Sequence, residues 1–205
     1  MAAARLRAAV ERMSLPDWAF YPLALASVAL MVWFALDMRE DRAGLLLSEN
    51  RVEIFGAELA NMVPGPGVSA SYDAERQVAI VTSDGGMEQF GNRSAGAGFR
   101  LPPQLERAVI GQRLRLIMEV RSGDETLRRT HIGYFTTEGH DSRWRQVRVG
   151  PNFAEVMITH EVPANAEANG QEWIGVWPDE AGLGRPVEIR RMTVELLGPI
   201  GENAE

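Results

Sequence analysis

The chain has 205 residues, 45% of them hydrophobic, so it can bury a core, and after removal of a terminal apolar segment it holds one ordinary domain. Its 28 acidic and 21 basic residues leave a formal net charge of −7, which repels phosphate backbones and argues against nucleic acid as a partner. It has no cysteine, and all its basic residues are arginine; this excludes disulfides, thiolate metal sites, cysteine nucleophiles, Schiff-base chemistry and a Walker-type lysine.

A short tail, residues 1–17, is followed by the run WAFYPLALASVALMVWFAL from Trp18 to Leu36, which contains no charge and no amide. At 1.5 Å per residue this run spans about 28 Å, close to the hydrocarbon thickness of a bilayer. Its leucine, valine and phenylalanine residues favour insertion by about 4 kcal/mol. Pro22 falls in the first turns, where the lost hydrogen bond matters least, and Trp18, Tyr21 and Trp33 fit interfacial belts. Asp17 and Asp37 close the segment, and no small-residue cleavage site follows. The expectation is a single transmembrane helix over residues 18–38. Arginines flank it nearly equally, so orientation rests on the short tail, which stays cytoplasmic while the folded part lies outside. This gives a bacterial inner-membrane location with a periplasmic C-terminal domain.

Residues 39–50 read as a charged, then leucine-rich connector, with Leu45, Leu46 and Leu47 at the lipid surface or against a partner. A β-sandwich is expected over residues 51–198, because short alternating runs are punctuated by turn residues. The first is the apolar stretch Val78 to Val81, which suits a central strand. A short helix is expected over residues 103–110, between a proline at its start and Gly111 at its end. In residues 112–121, Leu114, Leu116, Met118 and Val120 share one face, and Arg113, Arg115 and Glu119 the other. Further strands are expected over residues 131–136, 144–149, 154–162 and 173–177. In residues 186–196, Val187 and Ile189 have one parity, while Met192, Val194 and Leu196 have the other; a bulge near Arg190 and Arg191 would return both sets to the core. Residues 199–205 read as a tail.

The succession GQRLRLIMEVRSG, SRWRQVRVGPNFAEVMITHEV and EWIGVWPDEAGLGRPVEIRRMTVEL resembles the galactose-binding-like jelly roll used by many carbohydrate-binding modules. The resemblance covers residues 97–197 and lies in fold-forming rather than ligand positions. It implies an all-β jelly-roll sandwich, and bears on architecture more than on function. The family often carries a structural calcium in an acidic loop, but the ligands cannot be placed on this sequence, so no metal or other cofactor is carried over.

The constellations that could carry chemistry have plainer readings. His131, His140 and His160 are too far apart for a local metal motif. Gly139-His-Asp-Ser142 holds triad-type residues as sequence neighbours, which reads as a turn. The Gly91–Gly98 stretch lacks both the nucleophile-elbow and the Walker spacing, and reads as a flexible loop or a backbone-lined ligand rim. Glu161, Glu167, Asp179 and Glu180 show no spacing of paired glycosidase carboxylates. No residue is assigned a catalytic role, and the chain reads as a non-enzyme.

Trp173-Ile-Gly-Val-Trp177 is the most suggestive segment. In a strand its tryptophans share a face about 13 Å apart, leaving Gly175 as a gap and turning Ile174 and Val176 the other way. They then form a platform for sugar rings, or they fill the core. Trp144 and Arg121 are secondary candidates for the same surface. The sequence therefore leads to a non-catalytic, membrane-anchored binding module that recognises a glycan or cell-envelope component. The alternative is an accessory subunit docked in a larger inner-membrane protein complex.

Overall fold

The computed structural model describes residues 21, 25–31, 45–48, 50–92, 94–136, 139–167 and 171–201. The chain divides into two compact units, Met1–Asp41 and Arg42–Glu205. In the first, Tyr21 and residues 25–31 are helical, and Leu25, Val28, Leu30 and Met31 are exposed. Among the described residues no helix is long and apolar enough to cross a membrane; most of the expected span from Trp18 to Leu36 lies outside them.

The second unit is an all-β sandwich, as expected. Its larger sheet is built on the long strand β12 (Val187–Pro199). Along one edge β12 pairs with β7 (Gln112–Ser122), which in turn pairs with β10 (Ala154–Glu161). Its other edge is shared. The first residues of β12 pair with β5 (Val78–Ser83), and β5 with β4 (Val68–Asp73). The later residues pair with β2 (Arg51–Phe55), and β2 with β1 (Leu45–Ser48). All of these pairs are antiparallel. Leu45–Leu47, expected as a connector, thus lie in a strand hydrogen-bonded to β2.

The phase change in β12 is resolved by a bulge. The register with β7 shifts between Ile189 and Arg191, leaving Arg190 as the additional residue. Val187, Ile189, Met192 and Val194 are consequently all fully buried. Across from them, Leu114, Leu116, Met118 and Val120 of β7 are buried in strict alternation, as the sequence periodicity requires.

The smaller sheet consists of β11 (Trp173–Trp177), β8 (Arg129–Phe135) and β9 (Arg145–Arg148) in that order. The pair β3 (Val63–Pro64) and β6 (Ala97–Arg100) adjoins it through a single parallel bridge, Gly96 to Val176. Ile132, Tyr134, Ile174 and Val176 join the residues of the larger sheet in one core. Two short helices, Met87–Phe90 and Pro103–Ala108, and a 3-10 turn, Gly56–Asn61, complete the connections.

Candidate functional site

Alternation along β11 and β8 builds the site. Because Ile174, Val176, Ile132 and Tyr134 are buried in the core, Trp173, Gly175 and Trp177 turn to the outer face of the smaller sheet. The register places Phe135, Gly133 and His131 opposite them. Two facing glycines in the middle of paired strands leave a depression, and the surroundings use it. A side-chain carbon on Gly175 would collide with the carbonyl of Ala95, so the 91–96 loop lies directly on that strand. One on Gly133 would stand 2.7 Å from the ring of Phe135.

The two tryptophans of β11 have different surroundings. Trp177 is fully buried, and its Nε1 donates to the carbonyl of Asp179 at 3.1 Å. Trp144 closes over it edge-on, with ring centroids 6.1 Å apart and planes at 78°. Trp144 also packs on Phe135 at 4.5 Å and donates its Nε1 to the carbonyl of Gly91 at 2.8 Å. Trp173, at the other end, is only half-buried and rests against Gly98.

A cavity of about 830 Å³ opens at the Trp173 end. Trp173, Phe135 and Trp144 supply aromatic walls, and Ser94, Asn92, Asp141 and Arg143 add polar groups. Its polar rim is fixed from behind. The Thr136 N–H donates to Asp141 Oδ1 at 2.7 Å, and the Gly96 N–H to Ser94 Oγ at 3.0 Å. Arg143 holds a left-handed backbone with φ of +56°, a conformation uncommon for a side-chain-bearing residue. Ser142 holds it there: its N–H donates to the Tyr134 carbonyl at 2.9 Å, its Oγ accepts from the Tyr134 N–H at 2.8 Å, and the same hydroxyl donates to the Arg143 carbonyl at 2.9 Å. The strained residue thus lies at the cavity rim with its side chain exposed.

A second cavity, of about 720 Å³, lies at the His131 end of the same sheet face and includes Arg128, Arg129, Glu88 and Glu180. Asp179 forms its base. Burial pushes the Asp179 carboxyl up, but its hydrogen bonds from Arg185, Leu183 and Ala181 outweigh this and hold it below the ordinary value. The Arg185 guanidinium meets both carboxylate oxygens, at 2.9 and 2.5 Å. Burial also pushes the His131 imidazole below its ordinary value, against the opposing pull of Glu180, whose carboxylate is 3.9 Å from Nε2.

Of the residues expected from the sequence, Trp173 and Trp144 line the first cavity together. Trp177 does not form an exposed platform, because Trp144 and the Asp179 turn seal it. Arg121 lies on the larger sheet, where its Nε donates to Glu188 at 2.7 Å and its guanidinium lies over Phe153 at 4.7 Å. Its partners there are structural, and it is not among the described lining residues of the cavity. Phe135 and Arg143 were not anticipated; Gly133 within an otherwise bulky strand was the available signal of a close approach. From the Gly91–Gly98 stretch, Gly91, Asn92, Ser94, Ala95, Gly96 and Gly98 line the cavity. Among the described residues no group of three or more histidine, aspartate or glutamate side chains could hold a metal ion.

No family model matches the chain, and no curated protein matches it by sequence. Among solved structures it is similar to the xylan-binding CBM22-1 domain of Xyn10C from Paenibacillus barcinonensis, with a TM-score of 0.47 at 10% identity, covering 70% of this chain and 88% of that one. It is similar also to the CBM1 module of BiXyn10A in its apo form, with a TM-score of 0.43 at 10% identity over 76% of this chain and 93% of that one. A third is the C-terminal CBM6 of the laminarinase LamC from Zobellia galactanivorans, with a TM-score of 0.38 at 12% identity over 71% of this chain and 99% of that one. These likenesses are distant, and the class of the domain, a two-sheet β-sandwich, follows from its own strand pairing.

Proposed function

We propose that the sandwich is a non-catalytic binding module that takes a glycan into the cavity at the Trp173 end. The observation that carries this reading is the half-buried Trp173 beside Phe135 and Trp144 in a cavity of about 830 Å³ with a polar rim. A cavity of that size with aromatic walls and a few fixed polar groups suits a small ligand. Sugar rings have apolar faces that stack on aromatics and hydroxyls that bond to groups such as Asn92 and Ser94. Asp141 is the one carboxylate among the described lining residues, and it is engaged by the Thr136 N–H, which favours binding over acid–base turnover. A glycan array probed with the wild type and with Trp173→Ala tests the reading. Spots bound by the wild type and lost in the variant support it; an array on which the wild type binds no glycan overturns it.

The run from Trp18 to Leu36 anchors the sandwich in a bilayer under this reading, on the periplasmic side of a bacterial inner membrane. The exposed Leu25, Val28, Leu30 and Met31 support a lipid environment for the helical residues, since apolar residues spaced around a helix need an apolar surrounding. The same exposed residues also suit packing against the helices of a larger membrane complex, with the protein as its accessory subunit. Mild-detergent purification followed by mass spectrometry separates the two: a stoichiometric set of co-purifying membrane proteins favours the complex.

A further inference from the structure

We infer that the glycan is an acidic one, an extended chain bearing carboxylate or sulfate groups, held by arginines on the β8–β9 strands; this rests on the aromatic cavity being the glycan site. The first observation is an arginine row. Arg143, Arg145 and Arg148 follow one another on and before β9, and Arg128 and Arg129 adjoin them on and before β8; Arg145, opposite core-facing Ile132, has the other parity, and the remaining four form the row. All five are exposed. Among the described residues none of the five has a carboxylate within salt-bridge distance. Elsewhere on the sandwich Arg76, Arg113, Arg115, Arg121 and Arg190 each have a carboxylate partner, while Arg100 and Arg107 have none within that distance among the described residues.

The second observation is where the row lies. Arg129 and Arg148 stand directly opposite each other across the β8–β9 pair, on the face they share with His131 and Gln146. Like charges in that position repel, so the free protein carries a local cost that a bound anion would relieve. Arg143 lines the first cavity, and Arg128 and Arg129 line the second. Asp141, Glu88 and Glu180 share those linings while Arg185 is taken up by Asp179; with Arg148 opposite Arg129, four arginines on this side, Arg128, Arg129, Arg143 and Arg148, meet three carboxylates. The row is therefore net positive on a chain whose overall charge is −7.

The third observation is extent. Phe135 at the first cavity and His131 at the second are four residues apart on β8, about 13 Å. The 91–96 loop on Gly175 and Trp144 over Trp177 cover the face between them, so a ligand reaching both passes over this cover as a chain of sugars, with a neutral ring face on Trp173 and anionic groups on the arginines. Guanidinium groups bind carboxylate and sulfate oxygens through paired, charge-assisted hydrogen bonds. Anionic lipid would also meet a positive row without using the aromatic cavity, and single-stranded nucleic acid would use both by stacking its bases, so the titration includes each.

The test is a titration of the detergent-solubilised full chain with hexagalacturonate, a sulfated galactan hexasaccharide and xylohexaose. A dT20 oligonucleotide and phosphatidylglycerol vesicles serve as non-glycan anions. The expected result is binding of an acidic hexasaccharide that weakens as salt rises. It should fall about tenfold in the Arg129→Gln, Arg148→Gln double variant and be lost in Trp173→Ala. The double variant should melt no lower than the wild type, because the change removes a repulsion; this shows that lost binding is not lost folding. Xylohexaose bound as tightly as the acidic sugars, with the double variant unaffected, overturns the acidic assignment but leaves the glycan cavity standing. Binding of dT20 or vesicles at least as tight as that of the acidic sugars overturns it, in favour of a single-stranded nucleic acid site where Trp173→Ala removes dT20 binding and of a general anion surface where it does not. Failure of all three hexasaccharides to bind overturns both this assignment and the glycan reading beneath it.

Discussion

Trp177→Ala should remove a fully buried indole from beneath Trp144 and cost about 3–5 kcal/mol, whereas Trp173→Ala should change the melting temperature little. Thermal melts of the two variants check this, and equal losses of stability would show that both rings fill the core. The other residue-scale test concerns acid. Asp179 and Glu188 are both buried, and in each burial raises the carboxyl while arginine hydrogen bonds, with backbone N–H groups at Asp179, bring it below the ordinary value. A depressed folded value means that the stabilisation is complete above the unfolded carboxylate range and lost as pH falls through the folded value. The wild type should therefore lose stability steeply below about pH 4. Asp179→Asn should be destabilised by on the order of 3 kcal/mol at neutral pH, because Arg185 is left without its partner, and should show a shallower acid decline. Chemical denaturation across pH reads both slopes; parallel curves would contradict the assignment.

At the scale of the element, the glycines of the smaller sheet decide where the cavity is. Gly175→Ala places a methyl group against the Ala95 carbonyl, so either the 91–96 loop lifts or β11 shifts. The expected cost is about 1–3 kcal/mol, with loss of ligand binding even where the fold survives. A variant with unchanged melting temperature and affinity would show that the loop is not seated on this strand. The strands that were legible in the sequence are those with a strong period, and β7, β11 and the bulged β12 stand where their alternation requires. The strands that were not legible lack it. Val68–Asp73 alternates small and polar residues, and Leu45–Ser48 is apolar without alternation, so pairing with β5 and β2 decides their state. The same limit applies to the site. Alternation told which way Trp173 and Trp177 point, but the seal over Trp177 comes from Trp144 and the Asp179 turn, a relation set by tertiary packing. Arg121 shared the composition of a ligand contact and belongs to a different sheet.

For the whole molecule, the division into Met1–Asp41 and Arg42–Glu205 suggests separable roles. A fragment covering residues 42–205 should remain in the aqueous phase on detergent partitioning and give a β-dominated circular dichroism spectrum. The full chain should enter the detergent phase and resist carbonate extraction. Release of the full chain by carbonate would contradict a bilayer anchor over the Trp18 to Leu36 run. A tethered sandwich of this kind would present the Trp173 cavity and the arginine row as one ligand-binding face, its other sheet held by ion pairs such as Arg121–Glu188.

The central claim is that a sugar ring sits on Trp173, and indole oxidation with N-bromosuccinimide, read residue by residue by mass spectrometry, tests it most directly. In the free protein Trp173 should oxidise, and Trp177, with no exposed surface, should not. At saturating concentration of the oligosaccharide identified on the array, oxidation of Trp173 should slow by about tenfold, with Trp144 in the same cavity also protected, while Trp18 and Trp33 keep their rates. Oxidation of Trp173 at an unchanged rate under saturation, or of Trp177 as readily as Trp173 in the free protein, would contradict the account.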